Sequence, residues 1–239
     1  MWFLVGSFVA SVVNGGLGYG YSSVLVPLLL LVVPAASVVP YVNLVECFLN
    51  PYVLWSNRGF LPGGVWGVAW RMLVGLVPGV LVGGLLLGVL DGRVVRGVVY
   101  GVLIPLGVAQ LLGFRWPVRG AWLSFVGFVV GVLYGLTTIS GPLLALFFVN
   151  QGLARGEFRA ALGVVRTVES WLAAVWYWWL GLSGPHLFDL NLLFLLAPVV
   201  PGVWLGRRLV DGVGVEGFRR AVLGFDVVLA GVGLVRTVL

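Results

Sequence analysis

Apolar residues run along this chain in long stretches, separated by short groups of charged, proline and glycine residues. A helix of about 20 apolar residues crosses the hydrocarbon core of a bilayer. Segments of this kind can be delimited at 2–33, 38–55, 64–90, 94–113, 120–150, 158–180, 187–208 and 217–237. The pattern therefore predicts an all-α integral membrane protein that crosses the bilayer several times.

The composition excludes a water-soluble fold. Of the 239 residues, 61% are hydrophobic and only 9% are charged, whereas a soluble domain carries about 25% charged residues. The 14 basic residues are all Arg and lie mostly in short loops, which is typical of topology signals and not of a nucleic-acid-binding surface. We expect a multi-pass protein of the cell membrane, with the lipid bilayer as its main partner and no separate soluble domain.

The chain resembles itself at about half its length. The stretch N-G-G-L-G-Y-G-Y-S-S at 14–23 corresponds to L-Y-G-L-T-T-I-S-G-P at 133–142. The two stretches are 119 residues apart when Gly16 is set against Gly135. A shared pattern at a fixed separation indicates an internal repeat.

The later segments extend this repeat with a slightly larger separation. Glu46 falls on Glu169 at a separation of 123 residues, and an insertion of about four residues near 150–153 accounts for the change. Several coincidences in one register are stronger evidence than any one motif. We therefore predict one transmembrane domain built from two pseudo-symmetric repeats of four segments each, 1–119 and 120–239.

The first and fifth segments are each predicted to be broken inside the membrane. Both are about 32 residues long, which is too long for one crossing. Glycine and small polar residues interrupt them, at Asn14–Ser23 and at Thr137–Pro142. Irregular backbone at that depth is tolerated where it lines a cavity or is buried in protein. Discontinuous segments at matching positions of two halves indicate a transport site.

The arginine distribution favours re-entrant first and fifth segments. If both segments cross the bilayer, the loops hold eight Arg on one side and five on the other. If both enter and leave on the same face, the count becomes ten against three and the two halves are inverted. The positive-inside rule favours the second arrangement, with both termini outside. A single crossing by each segment remains the alternative.

Ionisable residues within the segments are candidates for function, because burying a charge in lipid costs at least about 2.5–3.5 kcal/mol. Asn43, Glu46 and Asn50 share one helical face of the second segment, and the sixth segment carries Arg166 and Glu169. One hypothesis is that Arg166 binds an anion, that Glu169 stays ionised beside it, and that Glu46 exchanges a coupling proton. The alternative is an ion pair between Arg166 and Glu169 that only stabilises the helix bundle.

The broken turns supply further candidate anion ligands. The N-terminus of a half-helix presents unpaired N–H groups and the positive end of a dipole. The predicted substrate-binding residues, besides Arg166 and Asn43, are Asn14, Gly18, Gly20, Ser22, Ser23, Thr137, Thr138 and Ser140. The alternative is that these small residues only allow helices to pack closely.

Other chemistries lack the residues they need. A single cysteine, Cys47, excludes both a disulfide and a dithiol relay. A single histidine, His186, argues against a metal site. Because no hydrolase or nucleotide-binding motif occurs, we expect neither an enzyme nor a cofactor.

The sequence resembles the sulfite exporter TauE/SafE family, also called the toluene sulfonate uptake permease family. The resemblance is carried by G-G-L-G-Y-G-Y-S-S-V-L-V-P-L-L at 15–29, by G-L-T-T-I-S-G-P-L-L at 135–144, and by proline–glycine motifs at 78–83 and 201–209. Tyrosines among the first glycines, and Thr137 to Ile139 in the second copy, depart from the family pattern.

The resemblance implies secondary transport of a small anion such as sulfite or an organosulfonate. Proton coupling through Glu46 or Glu169 is one mechanism that would fit. A passive anion channel, or transport of another small anion such as a carboxylate, is the alternative function. The resemblance gives neither the direction of transport nor the coupling ion nor the oligomeric state.

Overall fold

Helices form most of the described part of the chain. The computed structural model describes residues 2–61, 64–114, 120, 122–149, 151, 153, 155–184 and 187–238. The helices are α1 (Trp2–Leu17), α2 (Tyr21–Leu29), α3 (Ala35–Ser56), α4 (Gly64–Val89), α5 (Gly92–Leu111), α6 (Trp122–Thr137), α7 (Gly141–Val149), α8 (Arg155–Trp179), α9 (Leu190–Leu196), α10 (Val199–Val213) and α11 (Val215–Val238), with a 3₁₀ turn at Arg58–Phe60. No strand occurs among these residues, so the all-α prediction is confirmed.

Several helices are long and apolar enough to cross a membrane. By length and composition these are Val65–Val89, Gly92–Leu111 and, with α9 and α10 taken together, Leu190–Val213. Shorter apolar helices cover Phe3–Leu17 and Trp122–Thr137, which are the first parts of the two segments predicted to be broken. The helix lengths thus agree with a membrane protein.

The predicted interruptions of the first and fifth segments are confirmed. Gly18–Gly20 separate α1 from α2, and Thr138–Ser140 separate α6 from α7. Each break begins with a left-handed backbone, with φ of 84° at Gly18 and 58° at Thr138. Glycine adopts this conformation without strain, whereas a β-branched residue does so only at a cost.

The register of the two broken segments differs by one residue from the predicted one. α1 and α6 each have 16 residues, and α2 and α7 each have 9, so the breaks are 120 residues apart and not 119. Gly15 and not Gly16 corresponds to Gly135. A Cβ on Gly15 would overlap the carbonyl of Val203, and one on Gly135 would overlap that of Val80. Aligning the two stretches by residue identity gave the wrong glycine, because helix packing determines which position must be glycine. The expected insertion near 150–153 lies partly outside the described residues.

Glycines let α4 and α6 pack with their backbones in contact. A Cβ on Gly75 would overlap the carbonyl of Ser124, and one on Gly83 would overlap the carbonyl of Val132. Both positions advance by eight residues between the two contacts, so the helices run parallel. Gly83 therefore allows the two helices to pack closely.

The same contact recurs between α1 and α10. A Cβ on Gly202 would lie 3.0 Å from the carbonyl oxygen of Phe8, and one on Gly206 would overlap the carbonyl of Val12. These helices are also parallel, because both positions advance by four residues. Each broken segment thus packs against a helix from the other half of the chain.

Two further helix pairs run antiparallel. On α3, Asn43 and Asn50 donate hydrogen bonds of 3.2 Å to the carbonyls of Ser170 and Arg166 on α8. On α5 and α11, Gly107 faces Val227 while Tyr100 faces Gly233. The α3–α8 pair brings the polar residues of both halves to one buried level, where the two breaks also lie.

Candidate functional site

A buried ion pair joins α3 and α8. Arg166 Nη2 lies 2.5 Å from Glu46 Oε1, and the two side chains are 1% and 0% exposed. Tyr134 Oη on α6 lies 2.9 Å from Glu46 Oε2 and 3.0 Å from Asn43 Oδ1, and its single hydrogen can be donated to either acceptor. Three helices therefore hold the Glu46 carboxylate in place.

This pairing corrects the sequence-based assignment of the two carboxylates. The predicted partner of Arg166 was Glu169, one helical turn away on α8. The structure pairs Arg166 with Glu46 instead, because α3 packs antiparallel to α8 and brings Glu46 to the same level. Local spacing along α8 gave no information about this neighbour.

One side of the Arg166 guanidinium has no hydrogen-bond partner among the described residues. Its Nε and Nη1 atoms are buried and make no hydrogen bond. Nη2 also donates to Ser22 Oγ at 3.4 Å, and a Cβ on Gly141 would lie 3.4 Å from Nη1. Ser22 lies in the first turn of α2 and Gly141 begins α7, so the guanidinium lies between the starts of both half-helices.

Glu169 has no cationic partner in the described residues. Its side chain is fully buried, Oε2 accepts a 2.6 Å hydrogen bond from Ser140, and Oε1 has no partner. No cation lies within 4.0 Å of it in that part of the chain. Its ionised form would be expensive to bury.

Thr137 and Thr138 use their hydroxyls within the second break. Thr137 Oγ1 donates to the carbonyl of Leu133 at 2.6 Å and accepts from Ile139 N at 3.1 Å. Thr138 Oγ1 donates to the carbonyl of Thr137 at 2.6 Å. These bonds satisfy the end of α6, so the structure gives both residues a local structural role beside the site.

The predicted ligands of the first break are dispersed. Gly18 lies against the side chain of Arg159, with 3.2 Å from a Cβ position on Gly18 to Arg159 Cγ. Gly20 has a φ of 104°. Asn14 is buried, and neither atom of its side-chain amide has a partner.

Ser23 connects the first break to a carboxylate that the sequence prediction omitted. Its Oγ lies 3.2 Å from the carbonyl oxygen of Gly20 and 3.1 Å from Asp226 Oδ2. Asp226 on α11 is 3% exposed. A lone carboxylate within an apolar segment was the available signal, and it is the one that selected Glu46. Tyr134 carried no such signal, because tyrosine is common in membrane helices.

The site holds no metal centre in the described residues, since no group of His, Cys, Asp and Glu there could bind an ion. His186 lies outside those residues. What the site offers is a buried guanidinium, two helix N-termini and serine hydroxyls, which together suit an oxyanion.

Comparison with protein families agrees with this chemistry. The sequence model described as sulfite exporter TauE/SafE matches residues 3–233. The chain belongs to the TauE/SafE family. No curated protein and no solved structure matches it. TauE/SafE proteins are membrane transporters and not enzymes, so the prediction of a membrane transport protein is confirmed.

A polar cavity of about 220 Å³ adjoins the first break of this TauE/SafE chain. Its lining residues come from α3 and the turn after it, α8 and α10, and are Ser56, Asn57, Arg159, Arg207, Val210 and Asp211. Arg159 also donates a hydrogen bond to the carbonyl of Gly16 at the end of α1. The sequence positions of Arg159 and Arg207 indicated only loop charge, and the cavity brings the two side chains together.

Proposed function

We propose that this protein is a secondary transporter of sulfite or an organosulfonate, and that the anion binds at Arg166 between the starts of α2 and α7. The observation that carries the proposal is the buried Arg166 guanidinium, two of whose nitrogens have no partner. A tetrahedral oxyanion can accept hydrogen bonds from donors on two sides. Here Arg166 and the two half-helix N-termini would supply them.

The charges around Arg166 support coupling between the anion and a proton on Glu169. Glu46 neutralises Arg166, and each half-helix N-terminus adds about half a unit of positive charge. The site therefore suits a monoanion when Glu169 is protonated, and holds one negative charge too many when Glu169 is ionised. Proton and anion each favour binding of the other, and such coupling is reciprocal. In this mechanism Glu169 exchanges the proton and Glu46 fixes Arg166.

Helix directions support re-entrant broken segments in the second half. α8 starts at the membrane face where α3 ends, because the two helices are antiparallel. α4 follows α3 on that face, and α6 runs parallel to α4. Five residues separate the end of α7 from the start of α8, so α7 returns to the face from which α6 entered.

The first half supports the same arrangement on the opposite face. α1 runs parallel to α10, and α9 and α10 follow the far end of α8. Five residues separate α2 from α3, so α2 returns to the face from which α1 entered. We therefore propose inverted repeats, 1–119 and 120–239, with both termini on the outer face.

Uptake of sulfite into proteoliposomes tests the transport mechanism. With one proton per monoanion, a gradient of one pH unit should support about tenfold accumulation. Glu169→Gln should remove the accumulation that the Glu169 proton drives, about tenfold per pH unit, but keep exchange of labelled for unlabelled sulfite. Glu157→Gln, a carboxylate near the start of the same helix, is the matched control and should behave as wild type.

Two outcomes would contradict the proposal. Wild-type protein that only dissipates a sulfite gradient would be a passive channel, because a channel does not concentrate its substrate. Proton-driven accumulation that is unchanged in Glu169→Gln would assign the coupling to another group.

A further inference from the structure

A second buried carboxylate, Asp226 on α11, lies against the first broken turn and has too few hydrogen-bond donors for its two oxygens. Ser23 Oγ lies within hydrogen-bond distance of two acceptors, the Gly20 carbonyl at 3.2 Å and Asp226 Oδ2 at 3.1 Å. A serine hydroxyl has a single hydrogen to donate. The Gly20 carbonyl also accepts a hydrogen bond from Val24 N at 3.2 Å, so an ionised Asp226 would receive the Ser23 hydrogen at Oδ2 and no hydrogen bond at Oδ1.

A proton on Asp226 replaces the buried charge with a neutral acid that hydrogen-bonds to Ser23. Asp226 then donates from Oδ2 to Ser23 Oγ, and Ser23 donates to the carbonyl of Gly20. The Asp226 Oδ1 atom, which is buried without a partner, becomes the carbonyl oxygen of a neutral acid. An unpaired neutral oxygen costs much less to bury than an unpaired charge.

The surroundings of Asp226 supply no compensating cation. In the described part of the chain no Arg lies within 4.0 Å of its oxygens. The other charged side chains on its own helix are Glu216, Arg219, Arg220 and Arg236, and Glu216 pairs with Arg219 and Arg220 at 3.0 Å. α1 carries no titratable side chain. The titratable groups on the other helices packed against α11 are Tyr21 on α2, Arg93, Arg96 and Tyr100 on α5, and Arg207, Arg208 and Asp211 on α10.

We infer that Asp226, Ser23 and the Gly20 carbonyl form a proton-binding site at the first broken turn, separate from the Glu169–Ser140 site at the second. Each break then has one carboxylic acid hydrogen-bonded to a serine of that break. A movement of α2 relative to α11 would separate Ser23 from Asp226 and release the proton. The role of this proton in coupling rests on the proposed transport function, whereas its presence on Asp226 does not.

Infrared spectroscopy of the purified protein labelled with ¹³C at the aspartate carboxyl tests the site directly. The chain has four aspartates, and Asp91, Asp189 and Asp211 are all exposed. At pH 7 a labelled carboxylic-acid C=O band should therefore come from Asp226 alone. It should disappear in Asp226→Asn and persist in Asp211→Asn.

The wild-type spectrum decides the question even if Asp226→Asn does not fold. Absence of a labelled carboxylic-acid band at pH 7 would show an ionised Asp226 and overturn the inference. If sodium chloride removes the band and choline chloride does not, sodium displaces the proton, and the site would be a sodium site and not a proton site.

Proton-to-sulfite stoichiometry in proteoliposomes then tests the coupling. If the Asp226 proton moves with sulfite in addition to the Glu169 proton, the wild-type ratio should be two and should fall to one in Asp226→Asn, while sulfite exchange continues. An unchanged ratio of protons to sulfite would show that the proton on Asp226 stays in the protein and is not transported with sulfite. If wild-type protein moves no sulfite, the proposed function fails, but the infrared result on Asp226 stands.

Discussion

Arg166 and Glu46 form the buried ion pair at the centre of the proposed site, and removing one partner leaves a buried charge uncompensated. Arg166→Met should lower the free energy of unfolding by about 3–5 kcal/mol. Adding Glu46→Gln should restore most of this loss, because no unpaired charge remains. Adding Glu169→Gln instead is the matched control and should not restore it. Unfolding of the purified variants by heat or denaturant measures these differences.

The double variant Arg166→Met with Glu46→Gln, whose stability should be restored, tests anion binding separately from folding stability. If Arg166 binds the anion, sulfite should raise the melting temperature of the wild-type protein but not that of Arg166→Met with Glu46→Gln. A sulfite-induced stabilisation that survives in the double variant would place the anion elsewhere.

Thr138 is a β-branched residue held in a left-handed backbone with φ of 58°. Such a conformation costs about 1–3 kcal/mol. Thr138→Gly should therefore stabilise the protein by about 1 kcal/mol, after the loss of the Thr138 hydroxyl bond is subtracted. Gly18→Thr, at the corresponding position of the first break, should destabilise it. Melting temperatures that move the other way would show that Thr138 is not strained.

At the scale of single residues, the sequence identified the buried ionisable residues but not the residues with which they pair. A buried Glu46 or Arg166 stands out against an apolar segment, because burying a charge is costly. Their contact joins residues 120 positions apart and depends on how α3 packs against α8. No spacing rule within one helix contains that information, which is why Glu169 was predicted in place of Glu46.

At the scale of elements, glycine contacts determine which helices pair. Gly79→Ala on α4 would force its Cβ into the carbonyl of Phe128, and such overpacking costs about 1–3 kcal/mol. Gly101→Ala on α5 is the matched control, because nothing lies within 4 Å of that position. The control should stabilise its helix by about 0.5–1 kcal/mol. Equal effects of both changes on thermal unfolding would contradict the close contact of α4 and α6.

The extent of each segment was predicted well, because long apolar runs determine where helices lie. The seventh segment differs, since it divides into α9 and α10 at Ala197–Pro198 and not at Pro201. Pro201 lies in the first turn of α10, where its missing N–H leaves no helical hydrogen bond unmade. Proline position within a helix, more than proline itself, decides whether a helix bends.

At the scale of the whole molecule, the proposed inversion can be tested with two cysteines. Cys47 is buried and should not react. Re-entrant broken segments place Leu112 and Phe188 on opposite faces of the membrane, whereas eight single crossings place them on the same face. A membrane-impermeant thiol reagent applied to intact cells should label Phe188→Cys and leave Leu112→Cys unlabelled. Both should react after permeabilisation, and labelling of both in intact cells would contradict the inversion.

The contacts between the two halves also impose an order on biogenesis. Phe8 and Gly202 lie against each other, yet the ribosome adds 194 residues between them, which takes about 10–40 s at ordinary rates. Gly79 and Phe128 are only 49 residues apart, so α4 and α6 can associate within about 2–10 s. During synthesis the glycine face of α1 therefore remains against lipid until α10 enters the bilayer. A ribosome that stalls before α10 therefore leaves this face of α1 without its partner helix.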